Sequence, residues 1–158
     1  MQRRTLRLED LGQVAQEVER LRRDGYARAG NWGLAQVCEH LALALGAMMA
    51  GFPRRFPRWV RWVGGPVVRV WVFATGRFPA GLPMPTGTAP PAAPDEDAAV
   101  RHLREALERF ARFDGPLAPH PAFGRLSRRQ WERLNLIHCA HHLGFLLPRE
   151  REGAAASP

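Results

Sequence analysis

The sequence contains no lysine, and all 23 of its basic residues are arginine. With 15 acidic residues the formal net charge is +8, and arginine pairs well with phosphate. The arginines are nevertheless spread along the chain, and no recognised DNA-reading motif accompanies them. A basic set made only of arginine is also typical of GC-rich coding. We therefore expect no specific nucleic-acid partner.

Long apolar runs are missing as well. The longest apolar stretch, Trp59 to Ala74, is interrupted by two arginines and by Gly64-Gly65-Pro66, which argues against a transmembrane helix. Charged residues follow the first two positions directly, where a secretory signal would have an apolar segment. We expect a cytoplasmic protein with no transmembrane segment.

Cysteine is scarce, since the chain has only Cys38 and Cys139. Each lies inside an apolar helical pattern, which is typical of core packing in a reducing compartment. Neither shares a helix face with the histidine near it, because Cys38 precedes His40 by two positions and Cys139 directly follows His138. We predict that both thiols pack in the core and are not metal ligands.

Apolar residues recur every three or four positions in four segments, and this period is typical of amphipathic helices. No segment alternates with the period of two that predicts a strand. The chain length suits one domain, which we place at residues 1–148, followed by a frayed tail at 149–158. We predict an all-α four-helix bundle. Its helices cover Leu8 to Leu21, Asn31 to Gly51, Asp95 to Gly115 and Ser127 to Pro148.

Residues with capping chemistry mark three of the four helix starts. Asn31 is a good N-cap for the second helix. Asp95 opens an acidic turn that suits the positive end of the third helix. Ser127 and Gln130 have the spacing of a capping box at the start of the fourth.

Proline, glycine, tryptophan and arginine dominate Pro53 to Pro94, which we interpret as a long crossover between the second and third helices. A short helix is expected near Arg58 to Val63. Aromatic side chains are interleaved there with arginines, a pattern that also suits association with a membrane surface. We expect instead that the aromatics pack the crossover onto the bundle while the guanidinium groups stay in water. The residues concerned are Phe56, Trp59, Trp62 and Trp71, with Arg54, Arg55, Arg58, Arg61 and Arg69.

Two histidines, His138 and His142, lie one helical turn apart and share a face, with Cβ atoms about 5–6 Å apart. The same face carries Trp131 and Leu134, so both imidazoles point into the bundle, where an unsatisfied polar ring is costly. His40 can reach the same interior position from the second helix. We predict one divalent metal ion (zinc, nickel or iron), held by His40, His138 and His142, with coordination positions left open for water or substrate.

The other histidines receive different interpretations. His141 adjoins His142 but points about 100° away on the helix, so it is the alternative ligand. His102 lies off the inward stripe of the third helix and is expected to be solvated. His120 lies between two prolines, and we expect it to fix a loop.

Two segments resemble the DinB-like superfamily of metal-binding four-helix bundles: residues 31–41 (NWGLAQVCEHL) and residues 138–144 (HCAHHLG). Residues 119–127 (PHPAFGRLS), followed by Trp131, resemble more closely a bacterial branch of that superfamily whose function is not known. The likeness covers nearly the whole chain. In the superfamily one histidine of the second helix and an i, i+4 pair of the last helix bind the metal. The resemblance therefore implies these roles for His40, His138 and His142.

One position departs from the superfamily pattern. Many members follow the second histidine of the pair with Arg-Gly-Gln, whereas this chain has Leu143-Gly144-Phe145. No role of that arginine or glutamine can be carried over to this chain.

Characterised relatives include thiol S-transferases and a mycothiol-dependent maleylpyruvate isomerase, which use low-molecular-weight thiols. The resemblance thus implies a metal-dependent transferase that uses such a thiol and acts on a small electrophile. No catalytic residue is identified, because Glu39 points away from His40 along the helix and Asn135 can only hydrogen-bond. The alternative is a non-enzymatic metal-binding module for stress response or partner binding. A homodimer is plausible for such bundles.

Overall fold

In a computed structural model the chain is described over residues 3–53, 56–57, 59–79, 88–92 and 94–149. This described part has five α-helices and one two-stranded sheet. The mostly helical class is as predicted, and α1, α2, α4 and α5 match the four predicted helices. The elements are α1 Leu11–Asp24, β1 Tyr26–Arg28, α2 Leu34–Ala50, α3 Gly65–Thr75, α4 Glu96–Arg112, α5 Arg128–Leu143 and β2 Leu146–Pro148.

The starts of α1 and α2 differ from the predicted positions by about one turn. Asp10 caps α1, because its side chain accepts a hydrogen bond from the Gln13 amide at 2.8 Å, and the helix therefore begins at Leu11. The N-cap of α2 is Gly33 and not Asn31. The side chain of Gln36 accepts from the Gly33 amide at 3.2 Å, which satisfies a donor that no helix bond can use.

The predicted caps of the two later helices are present. Asp95 accepts from the Ala98 amide at 2.7 Å at the start of α4. Ser127 and Gln130 form the capping box of α5. The Ser127 hydroxyl accepts from the Gln130 amide at 3.3 Å, and the side-chain Oε1 of Gln130 accepts from the Ser127 amide at 2.9 Å.

Two predictions are wrong: that the last helix continues to Pro148, and that the chain has no strands. α5 ends at Leu143, and β2 pairs antiparallel with β1, so that Tyr26 lies opposite Pro148. The carbonyl oxygens after the helix accept hydrogen bonds from the N-terminal half of the chain, which replaces helix bonds by strand bonds. Arg149, which we expected in a frayed tail, donates its amide to Gly25 at 3.0 Å. The rest of the predicted tail lies outside the described residues.

The crossover holds a longer helix than predicted. A π-helical segment, Val60–Gly64, continues directly into α3, so the expected break at Gly64-Gly65-Pro66 is absent. Pro66 is the second residue of α3 and has no amide hydrogen to donate, which removes one backbone hydrogen bond from the continuous helix. Gly65 is needed for packing, because a Cβ there would lie 2.4 Å from the carbonyl oxygen of Ala122. Gly65 thus allows a close contact with the Ala122 backbone and does not end the helix.

The core lies between α1, α2, α4 and α5. α2 and α4 share the most extensive contact, and α5 packs against both α1 and α2. Cys38 and Cys139 are completely buried, as predicted, and burial raises the pKa of the Cys139 thiol to about 12. No described helix is long and apolar enough to cross a bilayer. The predicted inward stripes supply the core side chains, among them Val14, Val18, Leu21, Leu34, Leu41, Leu45, Val100, Leu103, Phe110, Trp131 and Leu134.

Candidate metal centre

Three imidazoles from two helices meet at one position inside the bundle. His40 comes from the middle of α2, and His138 and His142 come from adjacent turns of α5. One nitrogen of each ring lies within 4.8 Å of the corresponding nitrogen of the others. His138 Nε2 is central, 3.1 Å from His40 Nε2 and 3.0 Å from His142 Nε2. The described residues thus bring together the three histidines predicted as ligands, in a group able to hold one metal ion.

The three rings carry too few hydrogens for every nitrogen that faces the centre to be hydrogen-bonded. His40 Nδ1 lies 2.6 Å from the carbonyl oxygen of Thr88, which can only accept, so Nδ1 carries the proton and Nε2 carries a lone pair. A neutral His138 has at most one hydrogen on Nε2, which cannot make good hydrogen bonds to both neighbours. A cation at this position would satisfy the three facing nitrogens together.

The distances also suit a metal. Tetrahedral zinc with Zn–N bonds of about 2.0–2.1 Å keeps its nitrogen ligands roughly 3.3 Å apart. The two measured Nε2 separations are only slightly shorter. The carbonyl of Thr88 behind His40 is the kind of acceptor that orients a metal-ligating imidazole. The donor set therefore fits a divalent ion that prefers nitrogen ligands.

The three rings are held in the neutral form that binds metals. Burial lowers the pKa of His40, although the hydrogen bond to Thr88 opposes that shift. Burial, reinforced by the charges of the neighbouring histidines, lowers the pKa of His138 and of His142 well below the ordinary value. All three imidazoles consequently present lone pairs at neutral pH without first losing a proton.

Aromatic rings fix the positions of the cluster. Trp32, at the entrance to α2, stacks on His142 with ring centroids 5.4 Å apart and planes 17° apart. The same indole lies 5.1 Å from the ring of His40. Phe78, from the crossover, contacts the ring of His138 edge-on at 5.7 Å. These two aromatics could not be predicted as site residues, because neither lies on the periodic stripe of a helix.

His141, the alternative ligand, lies outside the group. Its Nδ1 is hydrogen-bonded to the guanidinium of Arg3, and its ring packs on Phe78 and Phe145. Burial, together with the charge of Arg3, lowers the pKa of His141 to about 4. Its ring contacts that of His142 edge-on, with centroids 4.9 Å apart, but its nitrogens do not belong to the convergent group.

A cavity of about 260 Å³ opens onto the cluster. Its wall is mostly apolar and comes from α2, the crossover, α3 and α5. No arginine is among the described residues that line it. The apolar part of the lining includes Met48, Phe52, Phe56, Val68, Phe78, Phe123 and Leu134. Such a cavity suits a small, uncharged, apolar ligand beside the histidines.

His120 fixes its loop, as predicted, and also lines this cavity. Its Nδ1 accepts from the amides of Ala122 at 3.1 Å and Phe123 at 3.0 Å, so the proton of the neutral ring is on Nε2. Burial lowers the pKa of His120 to about 3, which keeps the ring neutral. A proline on each side marks a fixed loop in the sequence, but nothing in that pattern shows what the loop packs against.

We had expected His102 to be solvated, but it makes a contact with a carboxylate. Its Nδ1 lies 2.9 Å from the Glu39 carboxylate, and 38% of its side chain is exposed. Glu39 therefore points away from the cluster, as predicted, and toward α4.

Asn135, 1% exposed, accepts from the Cys139 thiol at 3.8 Å. No carboxylate belongs to the described group of possible ligands.

Comparison with known proteins identifies the family. Over residues 1–149 the chain matches the family described as protein of unknown function (DUF1569). The chain belongs to that family. The DUF1569 match covers all the described helices, both strands and every residue of the candidate centre. No curated protein and no solved structure matches the chain. The chemistry of the site is therefore the basis for any functional argument.

Proposed function

We propose that this protein is a metal-dependent thiol S-transferase of DinB-like type, with one divalent ion (zinc, nickel or iron) held by His40, His138 and His142. The observation that carries the proposal is the convergence of three neutral imidazoles at the wall of an apolar cavity. A purely structural metal site is closed by four protein ligands, whereas three ligands beside a cavity leave room for a further group.

The reaction transfers the sulfur of a small thiol to an electrophilic carbon. A bond forms between sulfur and carbon, the bond to the leaving group breaks, and the thiol proton passes to solvent or to the leaving group. The bound ion would supply a positive charge that lowers the pKa of a thiol well below its usual value of about 8.5. The chain's own part is to hold the ion, exclude water and position the electrophile among apolar side chains.

The cavity wall refines the substrate class. No arginine is among the described lining residues, so apart from the ion these residues offer no cationic partner for a carboxylate or phosphate on the electrophile. The Nε2 hydrogen of His120 is one polar group in this wall, and it suits a carbonyl or nitro oxygen as acceptor. We therefore expect an uncharged, apolar or aromatic electrophile.

The test is a thiol-transfer assay on metal-loaded protein. Cysteine, glutathione and mycothiol are each offered with an uncharged aryl halide and with its carboxylated analogue. We expect turnover with at least one thiol, faster for the uncharged halide, and loss of that turnover in His138→Ala. The matched control is His102→Ala, which removes a histidine that faces Glu39 and not the cluster.

Equal activity in wild type and His138→Ala would contradict the proposal. So would a cobalt-loaded protein whose absorption spectrum no thiol changes. In that case a non-enzymatic metal-binding or interaction module becomes the better account. The open cavity at the cluster is the reason for placing that account second.

A further inference from the structure

The outer face of the crossover helix is strongly apolar and exposed. Trp59 and Trp62 are each 72% exposed, and Trp71 is 41% exposed. This finding overturns our expectation that these tryptophans pack the crossover onto the bundle; Phe56 alone of the four aromatics lines the internal cavity. Three valines between the tryptophans, Val63, Val67 and Val70, are each 69% exposed. We call these six residues the outer face.

The six residues share one side of a continuous helix. They recur once per helical turn, at 59, 62 and 63, 67, and 70 and 71, which places them on one side of the π-helical segment and α3. The opposite side packs inward, where Val72 is completely buried and Gly65 touches the Ala122 carbonyl. Val60 and Val68 line the internal cavity. The helix therefore has an anchored inner side and an apolar side in water, and exposed apolar patches of this kind are typical of interaction sites.

The segment of the chain that carries the outer face has charges of one sign in its sequence. Residues 40–94 contain six arginines and no aspartate or glutamate, so most of the formal charge of +8 comes from this third of the chain. Arg69 lies on α3, and Arg77 lies two residues after the end of that helix. Carboxylates of the chain balance many of the other arginines, for example Glu19 beside Arg104 and Glu108 beside Arg112. The segment thus combines the exposed tryptophans and valines of the outer face with positive charge.

We propose that the outer face docks on an anionic phospholipid surface, with the π-helical segment and α3 lying flat in the interface. Tryptophan prefers the level of the lipid headgroups, valine prefers the acyl region just below, and arginine pairs with lipid phosphates. No described helix, this one included, is long and apolar enough to cross the bilayer. A second copy of the chain is a poorer binding partner for the outer face, because like-charged arginines would then face each other.

The test is flotation of the full-length protein with vesicles. One set contains phosphatidylcholine alone, and the other contains phosphatidylcholine and phosphatidylserine in equal parts. We expect binding to the anionic vesicles only, weakened by added salt. Trp59→Gln with Trp62→Gln should reduce the partition coefficient by at least about tenfold, because both side chains leave the interface. Thermal unfolding of this variant, checked by circular dichroism, should match that of the wild type.

A matched pair of arginine variants tests the electrostatic part. Arg69→Gln should weaken binding to the anionic vesicles about fivefold, whereas Arg109→Gln on the exposed side of α4 should leave it unchanged. Full binding by the tryptophan variant, equal effects of the two arginine variants, or no binding to anionic vesicles would each overturn the proposal. Sedimentation that shows a dimer dissociated by the tryptophan variant, without vesicle binding, would assign the outer face to a second copy.

Discussion

His120 makes the stability of the fold depend on acid in a way that one substitution can isolate. Burial lowers its pKa to about 3 in the folded chain, whereas an unfolded histidine titrates near about 6.5. Between these values the unfolded chain binds a proton that the folded chain does not bind. The contribution of His120 is therefore fully present above pH 6.5 and is lost as the pH falls from about 6.5 toward about 3.

The magnitude follows from the two pKa values. Between pH 6 and pH 4 this difference lowers the free energy of unfolding by roughly 2–3 kcal/mol. The substitution is His120→Asn, whose side-chain oxygen can still accept from the Ala122 or Phe123 amide. Urea unfolding of metal-free protein at several pH values measures the effect for each chain.

The two chains are compared by how steeply the free energy of unfolding changes with pH, and not by its absolute value, because the smaller asparagine also leaves a cavity. The other buried histidines contribute to the slope of both chains and cancel in the difference. We expect the wild type to lose roughly 2–3 kcal/mol more than the variant between pH 6 and pH 4. Parallel losses, or an NMR titration of His120 near pH 6.5, would refute the assignment of a buried, neutral His120.

Two substitutions test local features of the fold. Gly65→Ala places a Cβ 2.4 Å from the Ala122 carbonyl oxygen and should lower the free energy of unfolding by about 1–3 kcal/mol. The control is Gly46→Ala in α2, where a Cβ meets no atom within 4 Å, and it should be neutral or stabilise the fold by up to about 1 kcal/mol. Equal melting temperatures of the two variants would contradict the contact at Gly65. Ser127→Ala removes the cap of α5 and should cost about 1 kcal/mol in urea unfolding, and an unchanged midpoint would show that the cap is unimportant.

The four main helices and their buried sides could be predicted because each carries its own periodic pattern. Leu103 and Phe110 on α4 are examples, since a spacing of three or four positions identifies a buried side without knowledge of the partner helix. The convergence of His40 with the α5 pair could be predicted for a related reason, because interior faces of a bundle point at each other.

The features that could not be predicted depend on contacts between distant segments. The short strand Leu146–Pro148 exists because β1, more than a hundred residues earlier, offers it backbone partners. Gly64-Gly65-Pro66 has the composition of a break, yet it lies within a helix, and Gly65 is there because the Ala122 carbonyl leaves no room for a side chain. The exposure of Trp59 and Trp62 was missed because their apolar character alone suggests burial.

The most direct test of the proposed metal centre is the metal content of protein purified without a histidine tag. Elemental analysis should find about one divalent ion per chain. The ion should be lost from His40→Ala, His138→Ala and His142→Ala and retained by His141→Ala, whose ring faces Arg3 instead. Retention of the ion in all three cluster variants, or its loss only from His141→Ala, would contradict the centre described here.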